Sequence, residues 1–391
     1  MLLPTPISRT SIGDVPVFFV EGPGPIRAAL IFRVGRVDES LPIAGYTHLV
    51  EHLALFPFRN QSYGYGGTVE GLRTVFPVSG TAEQVARHFD QLTVSLRRLP
   101  LDRLWTEARI LRTEAASRKI GPVDWLLRLR FGPRHWGLLC DEERGLNTPS
   151  HIAVQQWADR WFTAGNAALW ISGNDLPPMT LDLPAGPRIE VPELPRTTLP
   201  LPAWLSVPLG GVALSMIAPP SSSLLLLQRL IARRARTRLR DEEGVSYDVT
   251  TGYQRLSRDL GHLGVWADAL PEFAESVTNG LLQVIDELAT TGPDEDELLT
   301  EIAQMTSSLE HPGAMLTFLD AAVTHELMGS EHTDPGQMAR ELQAATSLEM
   351  TKLLATSWGT AIALVPPHVK ISERGFKPVS ASYRGWITVR P

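Results

Sequence analysis

Two histidines and a glutamate stand at the spacing of a metal-binding helix. The segment 44–56 has a helical pattern and carries His48, Glu51 and His52 as the run His-x-x-Glu-His. Residues three and four apart lie on one helical face, so the three side chains point to the same side. Two imidazoles there can supply two ligands of a tetrahedral zinc ion, and the carboxylate can accept the proton of a zinc-bound water. The run therefore predicts a zinc site.

The alternative is a pair of surface histidines on an ordinary helix. The residues around the motif are apolar, at Leu49, Val50 and positions 53–55. Such a helix is expected to be buried, and buried histidines and a buried glutamate need polar partners, which a metal ion would provide. We therefore favour the metal site over the surface pair.

A third ligand is expected on the helix predicted for Asp102–Arg118. Catalytic zinc usually takes a third protein ligand and leaves one position for water. Glu107 and Glu114 stand two helical turns apart and so lie on one face. By residue type, either glutamate could be the ligand. Without the upstream motif, the same helix would be a solvated charged face that includes Arg109 and Arg112.

Composition excludes several other classes of protein. The chain has 391 residues, of which 43% are hydrophobic and 20% charged, as in globular proteins with two or three domains. A formal net charge of -7 disfavours a dedicated nucleic-acid binder. The single cysteine, Cys140, excludes an internal disulfide. We expect a cytoplasmic protein without a membrane partner, because the N-terminus lacks a signal-peptide pattern and apolar runs are short.

The chain has the pattern of a duplication. A proline-rich linker, 176–202, separates a first domain, 1–175, from a second, 203–391. A proline divides a helix pair in each half, at Pro100 and Pro293, and an apolar strand begins at 167 and again at 361, at nearly the same offset. Strands grouped around helix pairs predict an α+β fold with two homologous domains, each a mainly antiparallel sheet packed with helices.

Besides the helix at 44–56, the predicted elements are four helices and several strands. The helices are Val85–Leu96, Asp102–Arg118, Phe273–Leu288 and Glu295–Leu309. The strands are Val17–Val20 and Ala28–Val34, joined as a hairpin, then Leu72–Ser79, Ala167–Ile171, Val212–Ile217, Leu263–Ala269 and Ala361–Val365. Pro77 suggests that the strand Leu72–Ser79 ends at a sheet edge.

These motifs resemble the insulinase/pitrilysin family of zinc metallopeptidases, the inverzincins, in its two-domain, processing-peptidase-like branch. The resemblance rests on His48–His52, on the downstream helix with paired glutamates ending in Arg-x-Glu, and on the segment 157–173. It implies that Glu114 is the third zinc ligand and that Glu107 supports the site from nearby. It also implies one zinc ion per chain.

The second half adds a further match. Arg240 and Tyr247 stand seven apart at a helix end, followed by a glycine turn. The resemblance implies that they contact the substrate carbonyl and its developing oxyanion. The alternative is an ordinary helix C-terminus capped by Gly244.

The sequence departs from the family between His52 and Glu114. This interval is shorter than usual, and Glu70-Gly71 stands where the family has Asn-Ala. That strand normally pairs with substrate. We expect the peptide to add as a strand along Leu72–Ser79, with contacts to Leu72, Thr74 and Phe76.

The expected function is a zinc metalloendopeptidase that cleaves unfolded, leader or targeting peptides in a chamber. A zinc-bound water would attack the peptide carbonyl with Glu51 as general base, and Arg240 and Tyr247 would stabilise the oxyanion. The family implies a second two-domain unit, as a homodimer in which Arg240 and Tyr247 act in trans or as a heterodimer with a similar chain. The alternatives are a non-catalytic peptide-binding or scaffold subunit of the same fold, and a zinc hydrolase for non-peptide substrates.

Overall fold

The structure is a computed structural model that describes residues 7–118, 120–311, 313–380 and 383. Contacts divide the chain into two compact units. The first unit comprises Met1–Lys119, Pro133–Glu193 and Glu310–Pro335, and the second comprises Ile120–Gly132, Leu194–Leu309 and Gly336–Pro391. Each unit therefore includes one segment from the opposite half of the sequence.

The first half alternates short strands with helices. In chain order its elements are β1 (Ser8–Ile12), β2 (Val15–Glu21), β3 (Ile26–Phe32), α1 (Tyr46–Leu55), β4 (Gly64–Tyr65), β5 (Thr68–Val69), β6 (Thr74–Gly80), α2 (Ala82–Arg97), α3 (Leu104–Ser117), α4 (Pro122–Phe131), α5 (His151–Trp161) and β7 (Ala167–Gly173).

The second half repeats this arrangement. Its elements are β8 (Ala203–Ser206), β9 (Gly211–Ala218), α6 (Ser222–Arg236), β10 (Val249–Arg255), β11 (Gly261–Asp268), α7 (Ala274–Thr290), α8 (Glu295–Leu309), α9 (Ala314–Met328), α10 (Pro335–Ala344), α11 (Ser347–Trp358), β12 (Ile362–Val365) and β13 (Lys377–Pro378). A π-helical turn, Thr237–Glu242, extends α6.

The two sheets share one strand order. The first sheet runs β1-β2-β7-β3-β6-β4, with β5 also paired to β6, and the second runs β10-β11-β9-β12-β8-β13. The series β2-β7-β3-β6 matches β8-β12-β9-β11, and in both series the first pair is parallel and the next two are antiparallel. The predicted α+β class with two similar, mainly antiparallel domains is confirmed.

The predicted hairpin between the first two long strands is wrong. β7 lies between β2 and β3 and pairs with both, parallel to β2 and antiparallel to β3. The turn at 21–25 therefore joins two strands that are not neighbours. The sequence order suggested a hairpin because consecutive strands usually pair.

Most predicted helices and strands lie where the sequence placed them. The predicted helix Glu295–Leu309 is observed with the same bounds, as α8. The predicted helix Val85–Leu96 lies within α2. The predicted helix Phe273–Leu288 begins in the short 3-10 turn Pro271–Phe273 and continues as α7. The predicted limits of the first domain, the linker and the second domain, 1–175, 176–202 and 203–391, stay a prediction. The compact units differ from them by the exchange of α4 and α9.

The exchanged helices cover the outer faces of the sheets. In the first unit, α1, α2, α3 and α5 pack on one face of the sheet. The other face presents Phe18, Ala29 and Ile31, which pack against Leu319 and Val323 of α9. In the second unit, α4 packs on β9, β11 and β12. A sheet with two apolar faces needs cover on both, because exposed apolar area is unfavourable.

No helix among the described residues has the length and apolar character needed to cross a membrane. The cytoplasmic location stays a prediction.

The packing of α9 predicts that a residue from the second half stabilises the first unit. Leu319 is fully buried against the first sheet. Leu319→Ala should lower the unfolding free energy by about 2–5 kcal/mol. Amide hydrogen exchange should show lost protection in β2 and β7, with β9 unchanged.

The matched control is Leu299→Ala on α8, where the side chain is 55% exposed. It should change stability by about 0.5 kcal/mol or less. Equal effects of the two substitutions would contradict the placement of α9.

Candidate metal site

The start of α1 is fixed by a buried carboxylate. Gly45 precedes the helix with φ 98°, a left-handed conformation that favours glycine. The Glu39 carboxylate accepts hydrogen bonds from the backbone N–H groups of Gly45, at 2.8 Å, and Thr47, at 2.7 Å. These groups would otherwise lack partners at a helix N-terminus. Burial raises the pKa of Glu39 to about 7, against the lowering effect of these hydrogen bonds.

The two histidines of α1 turn the same ring nitrogen toward α3. His48 Nε2 lies 3.8 Å from Glu114 Oε1, and His52 Nε2 lies 3.9 Å from Glu114 Oε2. The two imidazole rings are edge to face, with their centroids 5.1 Å apart. The predicted residues His48, His52 and Glu114 are therefore brought together by two neighbouring helices.

The opposite ring nitrogens each face a carboxylate. His48 Nδ1 lies 3.4 Å from Glu143 Oε2, and His52 Nδ1 lies 3.4 Å from Glu107 Oε2. A proton on Nδ1 in each ring would be held by the carboxylate, which leaves the lone pair of Nε2 directed toward Glu114. Histidine ligands of metals commonly have this arrangement.

Arginines pair with the two outer carboxylates, Glu107 and Glu143, but not with the two inner ones, Glu51 and Glu114. Glu107 Oε1 lies 2.7 Å from an Arg59 nitrogen and 3.3 Å from an Arg103 nitrogen. Among the described residues, neither Glu51 nor Glu114 forms a salt bridge to arginine or lysine. Two acidic groups beside the histidines are thus left without a cationic side chain.

Glu51 is held close to the site in a narrow space. Its Oε2 lies 4.0 Å from His48 Nε2 and 3.7 Å from His52 Nε2. A Cβ on Gly67 would come within 1.8 Å of Glu51 Oε1, so any larger residue there would displace the Glu51 side chain. Burial raises the pKa of Glu51 to about 7, and the negative charge of Glu114 adds to this effect, whereas His48 opposes it.

The two histidines differ in electrostatic environment. Burial lowers the pKa of His48, but the hydrogen bond to Glu143 and the charges of Glu143, Glu51 and Glu114 together raise it above its usual value. Burial and the nearby charge of His48 lower the pKa of His52, against the effect of Glu107. Glu143 itself has its pKa lowered to about 2, since its partners His48, Arg36 and Arg118 outweigh burial.

The donor set fits a zinc ion. One ligand atom each from His48, His52 and Glu114 can be chosen so that all lie within 4.8 Å of one another. Two imidazole nitrogens and one carboxylate oxygen are a common set for catalytic zinc. Glu114 is partly exposed, which leaves the site accessible from solvent. Glu107 is fully buried behind His52, as expected for a supporting residue.

Arg240 and Tyr247 lie in the second unit. Arg240 is in the π-helical turn, and its guanidinium carbon lies 5.2 Å from the centre of the Tyr247 ring. Tyr247 is 77% exposed, and its backbone N–H donates to Asp268 Oδ1 at 2.8 Å. The pair is thus a local stack on the surface of that unit. Its contact with a substrate stays a prediction.

The side chains predicted to bind substrate face inward. Phe76 and Thr74 are fully buried, Leu72 is buried, and Thr74 donates its hydroxyl to Val34 O at 2.8 Å. The strand β6 is also flanked on both sides, by β3 and by β4 with β5. Leu72, Thr74 and Phe76 are therefore not available to a peptide, because an inner strand alternates its side chains into the core.

The sequence motifs did not predict two residues of the site, Glu39 and Glu143. Glu143 reaches His48 from 95 positions away, in a segment without periodic pattern. Glu39 stands six residues before Gly45, so its contact with the start of α1 spans a non-helical segment. A search for acidic residues just upstream of a glycine-initiated helix could have found Glu39. Nothing comparable marks Glu143.

Solved structures of other proteins share this architecture over most of the chain. A structure described as peptidase M16 inactive domain from Pseudomonas fluorescens aligns with a TM-score of 0.76 and 14% identity, over 96% of this chain and 100% of that chain. A chain of complex III2 from Candida albicans aligns with a TM-score of 0.75 and 12% identity, over 94% of this chain and 98% of that chain. A protease from Helicobacter pylori aligns with a TM-score of 0.75 and 13% identity, over 92% of this chain and 99% of that chain. The chain has an M16-like fold.

Sequence comparison agrees in one region. The family described as Peptidase M16 inactive domain matches residues 175–305. This segment begins after α1 and α3, so it does not include His48, His52 or Glu114. A comparison with curated proteins gave no match. The comparisons thus support the M16-like fold, which a protease and a domain described as inactive both share.

The geometry predicts one zinc ion per chain. Glu114→Gln should lower zinc affinity by more than the ~10–100-fold that follows the loss of an outer partner. Elemental analysis of the dialysed chain would measure the zinc content. Glu83→Gln, an identical change at an exposed site on α2, should keep the wild-type zinc content. Equal zinc in both variants would contradict the assignment of Glu114.

Proposed function

We propose that the chain is a zinc metalloendopeptidase. The observation that carries the proposal is the convergence of His48 Nε2, His52 Nε2 and the Glu114 carboxylate beside a buried glutamate. The M16-like fold, shared with a protease from Helicobacter pylori, agrees with it.

The residues of the site have separate tasks in this proposal. His48, His52 and Glu114 would hold the metal ion, which supplies a Lewis acid and acidifies water. Glu51 takes a proton from water and later passes it to the leaving nitrogen of the peptide.

The substrate would be an unfolded peptide. Among the described residues, no strand pairs with the outer edge of β4 and β5, and β5 leads from Gly67, which contacts Glu51. An extended peptide added at such an edge gains backbone hydrogen bonds with little demand on its sequence. Leader peptides, targeting peptides and general oligopeptides all meet this requirement.

A non-catalytic subunit is the second candidate function. The family description that matches residues 175–305 and the likeness to a chain of complex III2 favour it. In that case the fold would bind or support another chain, and the metal-site residues would have no role in hydrolysis.

Cleavage of unstructured peptides distinguishes these candidates. We expect the wild-type chain to cleave a mixed peptide set, and Glu51→Gln to reduce the rate by about 10²–10⁴-fold, because the proton acceptor is lost. Mass spectrometry of the products measures both. Zinc content should stay at the wild-type level in Glu51→Gln, since Glu51 is not assigned as a ligand.

Glu83→Gln serves as the control for a charge change on an exposed helix. Cleavage at the wild-type rate by Glu51→Gln, or by the wild-type chain after a chelator has removed zinc, would contradict the peptidase proposal. A zinc-loaded wild type that cleaves nothing would favour the non-catalytic subunit or the need for another chain.

We further propose that Arg240 and Tyr247 act in trans within a homodimer, with a heterodimer as the alternative. Glu51→Gln and Tyr247→Phe chains should each be inactive alone. An equal mixture should regain about a quarter of wild-type activity, because half of the randomly paired dimers contain one intact site of two. No recovery after the chains have been shown to exchange would rule out action in trans.

A further inference from the structure

We propose that Glu143 is a positioning residue of the metal site, which fixes the ring of His48, and that Arg118 holds Glu143 in place. The inference rests on the proposed metal site. It assigns tasks to two residues that contact neither the substrate nor, directly, the metal ion.

Glu143 is a buried carboxylate with a complete set of partners. Its side chain is 2% exposed. Oε2 faces His48 Nδ1 at 3.4 Å, whereas Oε1 accepts from Arg118 at 2.8 Å and lies 3.8 Å from an Arg36 nitrogen. One carboxylate oxygen thus serves the histidine and the other serves the arginines. A buried charge needs such partners, and the arginines keep Glu143 ionised for His48.

The backbone around Glu143 is locked to the start of α1. Gly145 donates its N–H to Ala44 O at 2.9 Å, and a Cβ on Gly145 would lie 2.8 Å from the carbonyl carbon of Ile43. A Cβ on Gly45 would lie 2.7 Å from Glu143 Cβ. Two glycines therefore let the two segments touch, and the distance between Glu143 and His48 is set by backbone contact.

Glu143 and Glu107 form matching supports for the two histidines. Both carboxylates lie 3.4 Å from an Nδ1 atom, and both bind two arginines. Glu107 comes from α3, the helix that also carries Glu114. Glu143 comes from a separate segment and is tied to the end of α3 through Arg118. Its loss should free that ring to rotate while His52 stays held.

Zinc affinity of the purified full chain tests the inference. Glu143→Met keeps the volume but removes the acceptor, and should raise the zinc dissociation constant about 10–100-fold in competition with a chelator. Glu143→Gln keeps an acceptor for Nδ1–H and should recover part of this loss. With Co²⁺ in place of zinc, Glu143→Met should change the visible absorption of the bound ion. Glu142→Met, at the exposed neighbouring position, should change neither readout.

Each outcome decides the matter. An unchanged dissociation constant in Glu143→Met, or no recovery in Glu143→Gln, overturns the positioning role. If Glu143→Met does not fold, Arg118→Gln replaces it, with an expected rise of at least about 3-fold that reflects the weakened hold on Glu143; wild-type affinity would then overturn the inference. A wild-type chain that binds no zinc overturns the metal site itself, which separates that failure from this one.

Discussion

The site depends on the close packing of α1 against α3. The histidines project from α1 and Glu114 from α3, so the three ligand atoms meet only while these helices stay side by side. Leu49, Val50 and Leu53 of α1 are fully buried, and this burial fixes the rotation of the helix about its axis. Ionisable groups in such a place are unfavourable unless each has a partner. The arginines behind Glu107 and Glu143 supply those partners, whereas Glu51 and Glu114 have no arginine or lysine partner among the described residues.

In the second unit, the helix that corresponds to α1 carries no histidine. By strand order, α6 and α8 occupy the places of α1 and α3. Arg229 and Arg233, four residues apart on α6, both donate to the buried Glu301 of α8 at 2.8 Å. Guanidinium groups there neutralise a glutamate directly. In the first unit, the corresponding helix carries imidazoles instead, and Glu114 has no guanidinium partner among the described residues. This internal comparison favours an external cation at the first site over a purely structural cluster.

Local sequence patterns predicted α1 and α3 well, but they did not predict contacts between residues far apart in the sequence. Spacing alone places His48 and His52 on one face, because helix geometry fixes the positions of nearby residues. Pro77 was misleading as an edge signal. It lies where the partner ladder is interrupted, since β4 pairs at Val78 and Ser79 and β5 pairs at Thr74 and Val75. A proline without an N–H is tolerated at such a gap. The contact of Glu143 depends on tertiary packing that no periodicity encodes.

The exchange of helices shows why the half with the candidate metal site depends on the other half for packing. The first sheet needs α9 for its outer face, and the second sheet needs α4. The second contact includes the buried Arg130, which donates to Ser215 O at 3.2 Å and Thr360 O at 2.8 Å. Neither half covers both faces of its own sheet with its own residues. The second half, which carries no HxxEH, therefore contributes buried contacts to the first sheet, whatever its role toward substrate. The description of that half as inactive is compatible with hydrolysis by the chain as a whole.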